Sequence, residues 1–131
     1  MSIEANKQLV EQFFESSNAG DLESSIGLIA DDIEWTEFGT TSLAGTHRGI
    51  QELQEKLLGP LFSQLKQGIH MEVRRLIAEG DTVVAETRGT AETLDGRVYN
   101  NTYCWVITIR DGKFSKVTEY SDTELVASVF D

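Results

Sequence analysis

The feature that most constrains this chain is period-two alternation of apolar and polar residues across its second half, cut into runs by Gly80-Asp81, Asp95-Gly96 and Asp111-Gly112. Alternation of that kind places successive side chains on opposite faces of a strand. Asp-Gly between two such runs is a strong hairpin signal, because both turn positions must tolerate positive φ. The runs predict strands over Ile69–Glu79, Thr82–Leu94, Val98–Arg110 and Lys113–Ser121, joined as an antiparallel meander.

The first half has helical periodicity instead. Ile3, Lys7, Val10 and Phe14 repeat at helical spacing with Leu9 and Phe13 beside them, Ser2 can cap the start, and Asn18-Ala19-Gly20 supplies a stop. Asp21 caps a second helix that carries Leu22, Ile26, Ile29 and Ala30 on one face. A third helix carries Ile50, Leu53, Leu57, Leu58, Leu61, Phe62 and Leu65. Gly59-Pro60 interrupts it, predicting a kink or two short helices, since proline lacks the amide donor. Ile33–Phe38 alternates like a short strand, Gly39–Gly49 reads as a loop, and Asp122–Phe130 can close a short terminal helix. Helices followed by an antiparallel meander predict one α+β domain over residues 1–131, a curved sheet covered on one face by three N-terminal helices.

Charge and composition narrow the partners. The 131 residues carry a formal net charge of -11, which repels phosphate backbones and anionic lipid surfaces, so neither nucleic acid nor membrane is an expected partner. No apolar run approaches the ~20 residues of a membrane span, and the first residues have no apolar signal core. The single cysteine, Cys104, excludes an internal disulfide framework, so a cytoplasmic location is expected. His47 and His70 stand far apart without a ligand-like spacing, so no metal is expected. No Gly-x-Ser-x-Gly, Gly-x-Gly-x-x-Gly or phosphate-binding loop occurs, and no cofactor is expected.

If Asp95-Gly96 is a two-residue turn, Arg88 faces Tyr103, Glu86 faces Trp105 and Thr90 faces Asn101. One sheet face then carries Tyr99, Asn101, Tyr103, Trp105, Ile107 and Ile109 together with Glu86 and Arg88, and the helices cover it. The other carries Val83, Ala85, Ala91, Val98, Cys104 and Val106, and is expected to pack against a second copy of the chain as a homodimer. In the last strand Phe114 and Val117 have opposite parity. A β-bulge near Ser115-Lys116 brings both inward and turns Glu119 inward with them; without it, Asp122 faces the interior instead.

Three segments resemble the SnoaL-like and ketosteroid-isomerase-like branch of the nuclear-transport-factor-2-like superfamily. They are Ala30-Asp31-Asp32-Ile33-Glu34-Trp35, Leu43-Ala44-Gly45-Thr46-His47-Arg48-Gly49-Ile50, and the late group Tyr99–Tyr103, Arg110–Phe114 and Thr118–Thr123. The resemblance spans nearly the whole chain and implies a cone-shaped sheet with a pocket. Ketosteroid isomerases place a base shortly after the first segment, where Glu37 stands. Their oxyanion pair has no counterpart, since Phe13, Phe14 and Trp105 or Val106 occupy those places. Glu119 matches an aspartate of limonene-type epoxide hydrolases, whose Arg-x-Asp pair is not reproduced at Arg88-Gly89-Thr90. Polyketide cyclases of this branch need only an acid/base carboxylate in a greasy pocket, which this chain can supply.

The expected site is a cavity between the third helix and the sheet. Glu119 is its general acid/base, with Tyr103 and Asn101 orienting a substrate oxygen; Glu37 and Arg88 lie near the mouth, and Trp35, Phe38, Phe62 and Trp105 form the walls. Two functions stay open: a cofactor-free isomerase, cyclase or hydratase/hydrolase acting on a small hydrophobic molecule, or a binding module for an apolar ligand. A cone filled by its own side chains is a third.

Overall fold

A computed structural model describes residues 2–131. Helix α1 (Ile3–Asn18) is capped by Ser2, whose Oγ accepts from the Ala5 amide at 3.1 Å, and α2 (Leu22–Gly27) by Asp21, which accepts from the Ser24 amide. Strands β1 (Ile29–Glu37) and β2 (Gly45–Arg48) precede a helical run made of α3 (Ile50–Leu53), a π-helical turn (Gln54–Leu58) and α4 (Gly59–Phe62). Strands β3 (His70–Glu79), β4 (Thr82–Thr90), β5 (Thr102–Arg110) and β6 (Lys113–Ser121) follow, and α5 (Thr123–Phe130) ends the fold. No described helix is long and apolar enough to cross a membrane.

The four-strand meander is present, but it is part of a larger sheet. Six strands pair in the order β2-β1-β6-β5-β4-β3, and every pairing is antiparallel except β1 with β6. The Gly39–Gly49 stretch, read from sequence as a loop, contains β2, which runs antiparallel along β1. The first strand also begins earlier than Ile33–Phe38, because Ile29 reaches Phe114 across the β1–β6 pairing. Ile29 and Ala30, read from sequence as part of the second helix, belong to this strand, since α2 ends at Gly27; the acidic Asp31-Asp32 that parts them from Ile33 hides the strand's start.

Near Pro60 the helix widens rather than breaks. The Gly59 amide donates to the Gln54 carbonyl, one residue farther back than in an α-helix. A Cβ on Gly59 would stand 2.9 Å from that oxygen, so glycine allows the wide turn and Pro60 then starts the next α-helical piece.

The turns decide which residues face inward. Asp111 and Gly112 form a two-residue turn with φ of 54° and 74°, as expected. The Asp95-Gly96 hairpin is different. The Thr93 amide donates to the Arg97 carbonyl and the Arg97 amide to Thr93 Oγ1, leaving a three-residue loop, Leu94-Asp95-Gly96, with Gly96 at φ 88°. One extra loop residue slips the register by one, so Tyr103 faces Thr87 and Trp105 faces Ala85. Val83 and Ala85, assigned above to the outer face, are therefore fully buried inside. Glu86 and Arg88 turn outward, where Glu86 pairs with Arg75 at 2.7 Å. The regular ladder also stops at Thr90 and resumes at Thr102, short of the strand ends read from sequence.

In β6 the bulge falls at Ser115: Thr108 pairs with Lys116 and Ile109 with Phe114. Phe114 and Val117 are both buried as a result, and Glu119 turns inward. The core lies between this inner face and α1, α3 and the π-helical turn, with Phe14 edge-on to Trp105 at 5.2 Å and Phe13 against Phe114 at 5.0 Å.

Candidate functional site

The register arranges the inner face in rows. One row runs Gly45, Glu37, Glu119, Trp105, Ala85 across five strands. The row on one side contains His47, Trp35, Val117, Ile107 and Val83; the row on the other contains Ser121, Tyr103 and Thr87. Two carboxyl groups thus stand side by side on the inner face, with Trp35, Trp105 and Tyr103 in the same or the adjoining rows.

Glu37 and Glu119 are 8% and 7% exposed. Trp35 Nε1 donates to Glu119 Oε1 at 3.4 Å, and Glu37 is hydrogen-bonded to Glu119. Burial pushes both carboxyls above the usual range; for Glu37 the neighbouring Glu119 charge adds to it, whereas the bonds from Glu37 and Trp35 hold Glu119 back. Two acceptor-only carboxylates cannot share a hydrogen bond, so the pair keeps a proton between them. The donor from Trp35 favours the charge on Glu119 and leaves the proton on Glu37.

Glu37 also borders the outside. It lines a groove of about 560 Å³ with Thr36, Phe38, Gly39, Thr40, Gly45 and Thr123. The groove lies where the segment between β1 and β2 meets the start of α5. Gly39 permits that approach, since a Cβ there would stand 2.9 Å from Thr123 Cγ2. Ser42 holds the same segment to the end of the chain, its Oγ and amide both donating to the Asp131 carboxylate.

The remaining residues singled out from sequence divide into two groups. Trp35, Trp105, Tyr103 and Asn101 are buried on the inner face, with the Trp35 and Trp105 rings edge-on at 5.6 Å and Trp105 Nε1 donating to Thr87 Oγ1 at 2.9 Å. Burial drives the Tyr103 hydroxyl pKa far up, so it is a neutral donor. Asn101 is committed to the fold: its Nδ2 donates to Tyr99 Oη and the Asp122 carbonyl, and its Oδ1 accepts from the Thr102 and Asp122 amides. It anchors the start of α5 rather than offering a free amide. Asp122 itself caps α5.

Three residues lie elsewhere. Arg88 is exposed on the outer face because of the one-residue register slip. Phe38, 55% exposed, follows Glu37 with opposite parity and stacks on Tyr120 at 5.0 Å, so it borders the groove instead of walling the interior. Phe62 is 41% exposed at the end of α4, beside Gly68. The groove that Glu37 lines lies at the β1–β2 end.

Sequence reasoning passed over His47, Ser121 and Thr87. Alternation in Thr46-His47-Arg48 marks His47 as inward-facing once Gly45–Arg48 is recognised as a strand. Among the described residues no cluster of three His, Cys, Asp or Glu could hold a metal ion.

Comparison with known proteins agrees with this architecture. No curated protein sequence matches the chain. An NTF2-like protein from Burkholderia xenovorans LB400 is similar in structure, with a TM-score of 0.79 and 29% identity over 100% of this chain and 99% of that one. A structure from Jannaschia sp. CCS1, assigned as a SnoaL-like polyketide cyclase, has a TM-score of 0.81 at 17% identity, covering 99% and 94% of the two chains. One from Bacillus subtilis, assigned as an isomerase, has a TM-score of 0.83 at 18% identity, covering 99% and 96%. The SnoaL-like domain model matches residues 10–117, which include both strands of the carboxyl pairing up to Val117. With most of its length matched by that model and its whole fold shared with these structures, the chain belongs to the SnoaL-like family of the nuclear-transport-factor-2-like superfamily.

Proposed function

We propose that the chain is an acid/base enzyme of the isomerase, cyclase or hydratase type, acting on a small, largely hydrophobic molecule without a cofactor. The observation that carries this reading is the Glu37–Glu119 pair, two adjacent buried carboxyls hydrogen-bonded to each other. Such a pair presents a base and an acid at once: ionised Glu119 takes a proton from carbon or water, and protonated Glu37, on the groove side, gives one to oxygen. Proton transfer needs no group beyond these two carboxyls. Trp35 and Trp105 supply the apolar wall, and Tyr103 a neutral donor.

The experiment is proton exchange. Enolisable ketones of increasing size are incubated with the protein in deuterated water, and loss of the α-proton signal is followed by NMR. Exchange above the buffer rate that falls roughly 10²–10⁴-fold in Glu119→Gln supports the reading. Exchange unaffected by both Glu119→Gln and Glu37→Gln overturns it.

A second reading, a non-catalytic module for an apolar ligand, is favoured by Asn101. Its four hydrogen bonds leave no free amide to orient a substrate carbonyl. Saturable binding by a ketone that shows no exchange would decide for it.

We also infer a homodimer through the outer sheet face, in the cytoplasm. Val84, Cys104 and Val106 are half-buried there while Ile77 and Tyr120 are 48% and 41% exposed, an apolar surface that a second copy would cover. A lone thiol on that face suits a reducing compartment.

A further inference from the structure

Nearly every polar side chain of the interior has a partner. Trp35 donates to Glu119, Trp105 to Thr87, and Asn101 is fully engaged. Among the described residues three buried side-chain atoms do not: Asn6 Oδ1 on α1, and His47 Nε2 and Ser121 Oγ, which both lie on the inner face of the sheet. His47 is 7% exposed. Buried polar atoms are almost always paired, so two orphans beside one site are exceptional.

Their positions are related. His47 lies opposite Trp35, in the row next to Glu37 and on the adjoining strand. Ser121 lies opposite Tyr103, in the row beyond Glu119 and on the same strand. Same-face residues along a strand are roughly 6.7 Å apart and neighbouring strands about 4.8 Å apart. The two orphans therefore bracket the carboxyl pair diagonally, one on each side. A purely apolar ligand would leave both unsatisfied. An oxygen at each position satisfies them, because a serine hydroxyl donates or accepts and a neutral imidazole nitrogen does either according to its tautomer.

We propose that His47 and Ser121 are ligand-contacting residues of this site, and that the molecule it takes carries oxygen functions on both sides of the group handled by Glu37 and Glu119. The proposal rests on the carboxyl-pair reading and narrows it: the ligand is a polyoxygenated compound, a hydroxy-carbonyl or a diol, and not a bare hydrocarbon skeleton. His47 and Ser121 select and orient it, and neither takes part in the proton transfer.

The test measures fluorescence titrations of naphthalene, 2-naphthol and 2,6-dihydroxynaphthalene against the full chain. The expected order of affinity is diol, then naphthol, then naphthalene. His47→Leu and Ser121→Ala should each weaken the diol by roughly 3- to 10-fold, the worth of one hydrogen bond, while leaving naphthalene unchanged. Ser121→Ala removes one oxygen and tests the proposal even if His47→Leu does not fold. Equal affinity for the three probes, no diol binding at millimolar concentration, or a diol preference retained in both variants overturns the proposal. Glu119→Gln separates the two claims. Exchange lost in Glu119→Gln with the diol preference retained in His47→Leu and Ser121→Ala supports the acid/base reading alone, whereas exchange unaffected in Glu119→Gln with the preference lost in His47→Leu and Ser121→Ala supports the ligand contacts alone.

Discussion

Glu37 and Glu119 face each other across the one parallel pairing of the sheet, β1 with β6, and both are buried. In an antiparallel meander alone they could not meet, because Glu37 belongs to the first half of the chain. The parallel contact brings two residues far apart in sequence into one row, and the bulge at Ser115 gives Glu119 the parity to face its partner.

This pair sets a pH dependence of stability. Both carboxyls titrate above the ordinary 4.5 in the folded protein. Above that pH the unfolded chain has released both protons while the folded one still holds at least one, so stability is greatest below it and falls as pH rises through the folded range. Glu37→Gln removes the group that keeps the proton. Thermal melts at about pH 5 and about pH 8 should show a smaller drop for the variant than for the natural chain. An equal drop counts against a shared proton.

Trp35→Phe deletes the donor to Glu119 but keeps an aromatic ring in the wall. The ionised carboxyl loses one of its two hydrogen bonds, so its pKa should climb further. Carboxyl carbon NMR titration is the measurement. Destabilisation of about 1–3 kcal/mol is expected from the lost bond and the reduced ring volume.

Asn101→Ala should cost more than its size implies, about 2–4 kcal/mol, because it leaves the backbone groups of Asp122 and the Thr102 amide without their partner. Those groups start α5, so amide exchange across Thr123–Phe130 should accelerate more than exchange in β4. Uniform acceleration across both elements contradicts an anchoring role.

Val106→Asp places a charge in the middle of the outer face, on the side of β5 away from the helices. If two copies meet there, sedimentation should show a dimer for the natural chain and a monomer for the variant. A monomer in both at micromolar concentration removes the interface.

Gly59→Ala forces a methyl to within 2.9 Å of the Gln54 carbonyl oxygen unless the π-helical turn relaxes. A loss of about 1–3 kcal/mol in chemical denaturation is expected.

Some of this was legible in the sequence because it depends on neighbours along the chain. Period-two alternation marked the four meander strands, Asp111-Gly112 marked a turn whose φ angles few other residues accept, and Ser2 and Asp21 marked helix starts through caps reaching three residues ahead. The bulge was legible too, since Phe114 and Val117 cannot both be buried without one. The rest depended on contacts between distant segments. Asp95-Gly96 is compatible with two-residue and three-residue loops, and the hydroxyl of Thr93 bonding to the Arg97 amide selects the longer one, which sends Arg88 out and Thr87 in. A four-residue strand such as Gly45–Arg48 has too few residues to alternate visibly and exists because β1 offers it an edge. The order of the strands, and with it the meeting of Glu37 and Glu119 and the bracketing of that pair by His47 and Ser121, was decided by tertiary structure, because alternation specifies the face a side chain takes but not the strand that lies beside it.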